Sequence, residues 1–433
     1  IQQRALARTG NPAHPKLKLG VGNQETLGSN EEQLLSSLKE FHDKFYSANL
    51  MKLILVGNQS SKELEKLARK YFSNIKNKKV VRPVTEISAY RDQDLSKEIF
   101  IRSKIKSPIF LVEFPIKDNR YQWKSKPNQY IAKLINSQED GSLMTMLQDK
   151  GLIQSGQATL MPSAWGKDGS AFVEYSLTEK GEKNKELILY STHQFIDLIK
   201  STGIDQAYFD ELASINSIKF EDYQSPSALS LAVQFGQKVF DWPAENLIDS
   251  AYVTSEFNAT AIKDVLDQMT PERSRIYHIG PNEVSDIDLK YADGAFRVKS
   301  LIAKKLTAPA SSNIALRLPQ PEIIENETDA QIVQSDKFQR PIRIYQDIGV
   351  QAYLSNSQHH PGKEGILNLG IISSVPSESV NNLVSSWILN TAFLKANRRI
   401  LQRAGQRGVI ISPMPNADGN TVIRLFGRKK RNI

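Results

Sequence analysis

The stretch FHDKFYSANLMKLILVG, residues 41–57, predicts the end of an amphipathic helix, a tight turn at Ser47–Asn49 and then a continuously apolar strand. A second amphipathic helix is predicted over Ser61–Ile75. A helix, a buried strand and a second helix make half of a two-layer α/β unit, and the strand needs partners. The 40 preceding residues hold GNPAHP and a Gly-rich turn but supply no strand. We therefore expect the chain to begin inside a longer unit.

The composition is that of an ordinary globular protein. Its 433 residues are 40% apolar and 24% charged, which is enough for two or three domains of about 150 residues each. No segment approaches the roughly 20 uninterrupted apolar residues of a membrane helix, so we expect no membrane partner. The lack of cysteine excludes disulfides and thiolate chemistry, and it is compatible with either the cytoplasm or the periplasm.

The net charge of +9 raises the possibility of nucleic-acid binding, because clustered Lys and Arg release counterions from phosphate. Most basic residues are interleaved with acidic ones, as in KELEKLARK at 62–70, which is typical of a solvated helix face. The one dense basic run, Arg428–Arg431, lies at the end of the chain and is interpreted as a tail. We expect no nucleic-acid partner.

A second unit of mixed strands and helices is predicted to follow. EIFIR at 98–102 and IFLVEFPI at 109–116 are β-rich runs that we expect to be adjacent strands. A hairpin is predicted over Gln157–Met161 and Ala171–Leu177, and one more strand over Arg275–Ile279. Helical patterns cover Lys126–Asn136, Ser142–Leu152, Lys185–Ser201, Asp205–Phe220, Ala228–Phe240 and Ala259–Met269.

Residues 300–344 are rich in Pro, Ser, Asn and Glu without clear periodicity, which favours an interdomain linker. A third unit then repeats the order of the second, with strands, a helix and a hairpin. The sequence thus predicts an α+β fold that holds the end of one unit, a whole second and the start of a third. The elements of the third unit are strands over Ile344–Tyr353 and Ile366–Ile372, a helix over Ser377–Gln406, and a hairpin over Gly408–Ser412 and Thr421–Phe426.

The six histidines form no zinc motif, since H-x-x-E-H and H-E-x-x-H are both absent from the sequence. His359 and His360 are adjacent, and adjacent residues on a strand point to opposite faces, so this pair would chelate one ion poorly. We expect no metal ligand and no catalytic histidine in this chain. The isolated histidines are His14, His42, His193 and His278.

Other catalytic patterns are also absent. The sequence has neither the serine elbow G-x-S-x-G nor the phosphate-binding patterns G-x-x-x-x-G-K-[ST] and G-x-G-x-x-G. Glu139 and Asp140 precede Gly141 in a polar stretch, which is more typical of a solvated loop than of an acid/base pair. The residues by themselves therefore indicate no active site.

Six blocks at consistent spacing are GNPAHP (10–15), FHDKFYSANLM (41–51), GSLMTMLQDKGL (141–152), SLTEKG (176–181), GIDQAYFDEL (203–212) and MTPERSRI (269–276). In this order they strongly resemble the pitrilysin and insulin-degrading enzyme family, zinc endopeptidases of the inverzincin class. The resemblance extends over nearly the whole chain, to about Gly427.

The resemblance implies pitrilysin-like domains, similar to those of mitochondrial processing peptidase, of which four in two halves close around a chamber. On this basis we expect 1–85 to end the first domain, 95–300 to form the second and 345–433 to begin the third, with the linker at 300–344. The family's zinc motif and its downstream Glu ligand belong to the first domain, upstream of GNPAHP. The resemblance therefore implies zinc in the intact enzyme and a chain that binds no zinc tightly.

The resemblance also implies a substrate-binding site. In the insulin-degrading branch, the region that matches Gly141 and Ser142, together with the strand that begins here near Ala158 and Thr159, forms an exosite. The substrate's N-terminus adds there as a β-strand, and this mode uses backbone hydrogen bonds. The family's HEGPGS stretch is replaced here by NSQEDGS, so an ordinary loop and edge strand stay an equal alternative.

Two functions follow from the resemblance. The chain is expected to be a portion of a zinc metalloendopeptidase that degrades peptides, inactive alone and dependent on a catalytic half. The alternative is a noncatalytic peptide-binding or partner subunit of a peptidase. Whether the chain is itself an enzyme stays open, because the zinc motif is absent from it. The resemblance favours the periplasm, with the cytoplasm as the alternative.

Overall fold

A computed structural model describes residues 9–18, 22–163, 166–221, 223, 226–289, 294–301, 315–322, 341–355 and 364–428. Its contacts divide the chain into two compact units. The first comprises Ile1–Leu212 and Gln224–Pro321, and the second comprises Ala213–Tyr223 and Glu322–Ile433. Both contain helices, and the sheets confirm the predicted α+β class. The predicted domain boundaries, 1–85, 95–300 and 345–433 with a linker at 300–344, stay a prediction.

The regular elements of the described residues are numbered in chain order. The helices are α1 (Gln24–Leu27), α2 (Glu31–Phe45), α3 (Ser61–Phe72), α4 (Pro127–Ile135), α5 (Leu143–Asp149), α6 (Glu179–Glu182), α7 (Lys185–Thr202), α8 (Gln206–Glu221), α9 (Ala228–Lys238), α10 (Ala259–Leu266), α11 (Val380–Ala396) and α12 (Arg398–Gln406). The strands are β1 (Lys97–Arg102), β2 (Ile109–Lys117), β3 (Ile153–Pro162), β4 (Asp168–Leu177), β5 (Arg275–Gly280), β6 (Ile287–Asp288), β7 (Ala295–Ser300), β8 (Ile342–Asp347), β9 (Val350–Leu354), β10 (Glu364–Ile371), β11 (Ile410–Pro415) and β12 (Thr421–Arg428).

The first unit is built on a seven-stranded sheet with the strand order β3-β4-β2-β5-β1-β7-β6. Neighbouring strands are antiparallel except β1 and β5, which are parallel. The prediction that β1 and β2 are adjacent is wrong, because β5 lies between them. Every residue of β5 (RIYHIG) is buried, and a strand buried on both faces belongs in the middle of a sheet.

Helices pack on one face of this sheet and form the main core with it. The helices predicted for this region are present as α4, α5, α7, α8, α9 and α10, and the predicted hairpin is present as β3 and β4. Burying each large apolar side chain of such a core contributes about 1.5–3 kcal/mol. Members of the core that are almost inaccessible to solvent are Phe110, Val112, Phe114, Tyr130, Ile131, Leu134, Val173, Tyr175 and Phe195.

The stretch 41–57 forms the predicted helix end but not the predicted strand. Helix α2 ends at Phe45, and α3 begins at a capping box in which Ser60 Oγ accepts from Glu63 N–H at 3.3 Å. Between them, residues 51–56 have no regular secondary structure, and Leu53 and Leu55 are half-exposed. The strand prediction is wrong because an apolar run becomes a strand only when another strand pairs with it, and the described residues provide none.

The second unit contains a two-stranded hairpin, β8 and β9, and a three-stranded sheet with the order β10-β12-β11. Residues 344–353, predicted as one strand, form the hairpin because Gly349 turns the chain with a φ of +75°. The predicted long helix is divided into α11 and α12 at Asn397. The final hairpin is present as β11 and β12. Within the predicted linker, residues 302–314 and 323–340 lie outside the described residues.

Candidate peptide-binding edge

The loop before α5 contains two of the predicted site residues, Gly141 and Ser142. Gly141 has a φ of +83°, and its carbonyl accepts a hydrogen bond from the backbone N–H of Arg317 at 2.9 Å. A side chain at this position would collide with Arg317, because an added Cβ would lie 2.5 Å from Arg317 Cγ. A glycine is therefore required here both for the left-handed backbone and for the close approach.

Ser142 is fully buried and shapes the loop from inside. Its hydroxyl donates to the carbonyl of Glu139 at 2.6 Å and lies 2.7 Å from the carbonyl of Ser137. Its own carbonyl accepts from Met146 N–H, which starts α5. Since the hydroxyl is already hydrogen-bonded inside the protein, Ser142 positions the loop and does not present a polar group to a ligand.

The other two predicted site residues, Ala158 and Thr159, lie on β3, which is the edge strand of the seven-stranded sheet. Ala158 is opposite Val173 of β4, and Thr159 is opposite Phe172. Among the described residues only β4 pairs with β3, and alternate residues of β3 turn their backbone N–H and C=O groups away from β4. Such an edge is a template on which an extended peptide can add as a further strand.

Asn136 connects the two parts of the predicted site, and sequence reasoning missed it. It follows the last turn of α4 and precedes the loop that holds Gly141 and Ser142. Its side-chain Nδ2 donates to the carbonyl of Ala158 at 2.8 Å, and its Oδ1 accepts from the N–H of Ala158 at 2.6 Å. The structure therefore joins the end of α4, just before this loop, to β3, and the asparagine amide covers the outward backbone groups of Ala158.

A second buried polar cluster lies in the middle of the same sheet, on Glu113 of β2 and Arg275 of β5, both fully buried. Glu113 Oε2 accepts from the hydroxyl of Tyr277 at 2.7 Å and lies 3.5 Å from Arg275 Nε. The hydroxyl of Tyr90 donates to Glu113 Oε1 at 3.1 Å. Burial first, and then the negative charge of Glu113, raise the pKa values of both tyrosines, so both stay protonated donors.

This cluster anchors the GNPAHP segment to the sheet. Arg275 Nη2 donates to Thr9 Oγ1 at 2.7 Å, and Asn11 N–H donates to the carbonyl of Ala89 at 2.9 Å. His14 is fully buried, with Nε2 3.8 Å from a carboxylate oxygen of Asp168. These contacts assign a structural role to the segment, which the sequence alone marked only as part of a family resemblance. A Glu inside IFLVEFPI and an Arg at the start of RIYHIG are the signals that could have indicated the buried pair.

The histidines of the described residues do not converge on a metal site. No three His, Asp or Glu side chains within the described ranges lie close enough together to hold an ion. His193 is buried in α7 against the Phe114 ring, and burial lowers its pKa to about 4. His278 is stacked on Phe100 and lies 3.3 Å from Glu98 Oε1. These surroundings do not fit a zinc ligand set, and His359 and His360 fall outside the described residues.

No helix in the described part of the chain is long and apolar enough to cross a membrane.

Two family models match the chain consecutively. One is described as the peptidase M16 inactive domain and matches residues 34–216, and the other is the middle or third domain of peptidase M16 and matches residues 219–421. The chain belongs to the peptidase M16 family. This assignment confirms the resemblance to pitrilysin and insulin-degrading enzyme.

The M16 relatives include Protease 3 of Escherichia coli strain K12, which is 29% identical over 356 residues, covering 82% of this chain and 37% of Protease 3. Human insulin-degrading enzyme is 31% identical over 281 residues, covering 62% of this chain and 27% of that enzyme. The crystal structure of pitrilysin matches with a TM-score of 0.78 and 27% identity, covering 99% of this chain and 46% of the pitrilysin chain. The chain therefore spans less than half the length of these M16 relatives.

The periplasmic protease PqqL from Escherichia coli matches 99% of the chain with a TM-score of 0.54 at 12% identity, which shows a shared fold.

Proposed function

We propose that this M16 chain is the peptide-handling portion of a metalloendopeptidase that degrades peptides, and that it is inactive alone. The observation that carries the proposal is the match of residues 34–216 to a domain described as inactive, combined with the edge strand β3 in that region. The proposed substrate is a peptide in extended conformation. In this proposal the chain holds the substrate, and other residues cut it.

The substrate-binding residues in this proposal are Gly141, Ser142, Ala158 and Thr159. Ala158, together with Gly156 and Leu160 two positions away on either side, offers backbone donors and acceptors to an added strand, as edge strands do. Ser142 and Gly141 would set the position of the loop beside the strand rather than bind through side chains. Binding through backbone groups is compatible with the replacement of HEGPGS by NSQEDGS, since side-chain identity contributes little to a strand ladder.

In the complete metalloendopeptidase we propose, zinc would activate the water that attacks the peptide bond. The described residues of this chain do not supply the zinc ligands, and the sequence contains no H-x-x-E-H. We therefore assign the metal to a catalytic half outside this sequence, and no step of the hydrolysis to this chain.

The alternative function is a noncatalytic peptide-binding or partner subunit that completes a peptidase formed by another chain. The same edge strand and the same lack of a zinc motif support it. The two functions differ in whether the catalytic half is on the same polypeptide. For both we propose a periplasmic location, which the resemblance favours and a cysteine-free sequence permits, with the cytoplasm as the alternative.

The test is hydrolysis of a fluorescence-quenched peptide in the presence of zinc. The chain is assayed alone, with a purified M16 segment that carries H-x-x-E-H, and with a control segment whose motif Glu is replaced by Gln. We expect turnover only in the mixture with the intact motif. Hydrolysis by the chain alone that survives purification and is abolished by a chelator would contradict the proposal.

A further inference from the structure

The side chain of Asn136 occupies part of the peptide-binding edge assigned above, and the inference drawn from it rests on that proposed function. Two hydrogen bonds, of 2.6 and 2.8 Å, join its amide to the N–H and the C=O of Ala158. In an antiparallel pair, the N–H and the C=O of one residue of a neighbouring strand would offer the same donor and acceptor to Ala158. The asparagine side chain therefore takes the place that one residue of an added strand would take.

The contact between Asn136 and β3 is important for binding because of where Ala158 lies in the strand. Because backbone direction alternates along a strand, Gly156, Ala158 and Leu160 turn their N–H and C=O groups to the side away from β4. Beyond Leu160 the next residue of this set is Pro162, which has no N–H to donate. Ala158 is thus the middle of three residues whose N–H and C=O both face away from β4, and Asn136 bonds both groups of that middle residue.

Packing of α4 in the main core holds the side-chain amide of Asn136 in place. Asn136 ends α4, where its N–H donates to the carbonyl of Ala132 at 2.9 Å. The preceding residues Leu134 and Ile135 are fully buried in the main core, so the helix end cannot shift freely along β3. A competitor that is already ordered loses little entropy when it binds, which makes it effective against an incoming peptide.

We propose that Asn136 is the specificity-determining residue of this edge, acting as an internal competitor for the Ala158 backbone groups. A peptide that adds to β3 must displace the Asn136 amide before it can pair continuously from Gly156 to Leu160. Short peptides that gain only one or two hydrogen bonds elsewhere are rejected, and longer extended peptides are accepted. The edge is also protected from pairing with other strands while no substrate is bound.

The experiment uses the full chain and a fluorescein-labelled extended decapeptide rich in Val and Thr. Its affinity is measured by fluorescence anisotropy for the wild type, for Asn136→Ala and for Asn136→Asp, which keeps an acceptor and loses the donor. The matched control is Asn184→Ala, because the Asn184 amide also donates to a backbone carbonyl, that of Lys180, which belongs to α6 and not to β3. Hydrogen exchange of the Ala158 amide is followed in each variant, with and without peptide.

We expect Asn136→Ala to bind the peptide about three- to tenfold more tightly than wild type, the effect of about one net hydrogen bond. The peptide affinity of Asn136→Asp should lie between those of wild type and Asn136→Ala, and the affinity of Asn184→Ala should equal that of wild type. The Ala158 amide should exchange faster in Asn136→Ala and become protected again when the peptide is added. If Asn136→Ala does not fold, the peptide affinity of Asn136→Asp relative to wild type decides the test.

Two results would overturn parts of this account separately. Equal peptide affinity in wild type and both Asn136 variants would contradict the competition while leaving the peptide site in place. No binding to any variant, with faster Ala158 exchange in Asn136→Ala, would contradict the proposed peptide site and therefore the competition for it.

Discussion

The buried imidazole of His193 makes the stability of the first unit depend on pH. Burial holds the pKa of His193 at about 4 in the folded protein, against an ordinary value of 6.5. Its Nε2 has no hydrogen-bond partner among the described residues, and its ring packs edge-on against Phe114 at 5.6 Å between centroids. The folded protein therefore keeps this histidine neutral at pH values where the unfolded chain protonates it.

The sign and size of the effect follow from linkage. Below pH 6.5 the unfolded state binds more protons at this position, so the free energy of unfolding falls as the pH falls towards 4. A difference of about 2.5 pKa units corresponds to about 3 kcal/mol, reached near pH 4. Above pH 6.5 both states hold a neutral imidazole, and the contribution of His193 to the pH dependence is absent.

The comparison variant is His193→Leu, which keeps an apolar contact with Phe114 and cannot titrate. Urea unfolding is followed by tryptophan fluorescence at several pH values from 7.5 to 4, in a Trp387→Phe background. Trp123 and Trp242, which pack against each other in the first unit, then report its unfolding. We expect the stability of His193→Leu relative to wild type to increase by about 3 kcal/mol between pH 7.5 and pH 4. A difference in the free energy of unfolding between His193→Leu and wild type that does not change with pH would refute this prediction.

Three further predictions concern the buried pair, the stretch 51–56 and the metal. Glu113→Ala should destabilise the first unit by about 3–5 kcal/mol in urea unfolding, because it leaves the Arg275 charge buried without its carboxylate; a loss below about 1 kcal/mol would contradict the buried-pair account. Residues 51–56 should exchange their amide hydrogens far faster than β5 in mass-spectrometric hydrogen exchange, and equal protection would disprove the absence of pairing there. Metal analysis should find weak, substoichiometric zinc, whereas a tight one-to-one site would contradict the account of the histidines.

Local signals in the sequence predicted most helices and hairpins of the described residues. Asp205, the first residue of the pattern that predicted α8, accepts from the N–H of Ala207 at 2.8 Å, and the capping box at Ser60 starts α3. These signals act over a few residues and need no knowledge of the rest of the fold. The β3 and β4 hairpin is likewise local, since its two strands are joined by a short connection.

Features that depend on distant partners could not be predicted in the same way. The insertion of β5 between β1 and β2 joins segments that are more than 150 residues apart, and no local pattern encodes it. The strand predicted at Leu53–Val56 failed for the same reason, since apolarity does not specify a partner. β7 was not predicted, because AFRVKS shows only a short alternation.

The candidate site was located by resemblance, whereas its hydrogen bonds depend on the tertiary structure. Gly141, Ser142, Ala158 and Thr159 were predicted as one site by the family pattern, and the structure adds the hydrogen bonds that Gly141, Ser142 and Ala158 make. That Asn136 covers Ala158 depends on where α4 ends relative to β3, which is a tertiary property. An asparagine at a helix end carries no sequence signal for this role.

The most direct test of the central claim is to map where an extended peptide binds. A decapeptide with a benzoylphenylalanine at its centre is cross-linked to the chain by light, and the attached residues are identified by mass spectrometry. The account predicts saturable cross-links to β3 and to the loop at 137–142, which unlabelled peptide removes. Saturable cross-links confined to the sheet of β10, β11 and β12 would contradict it.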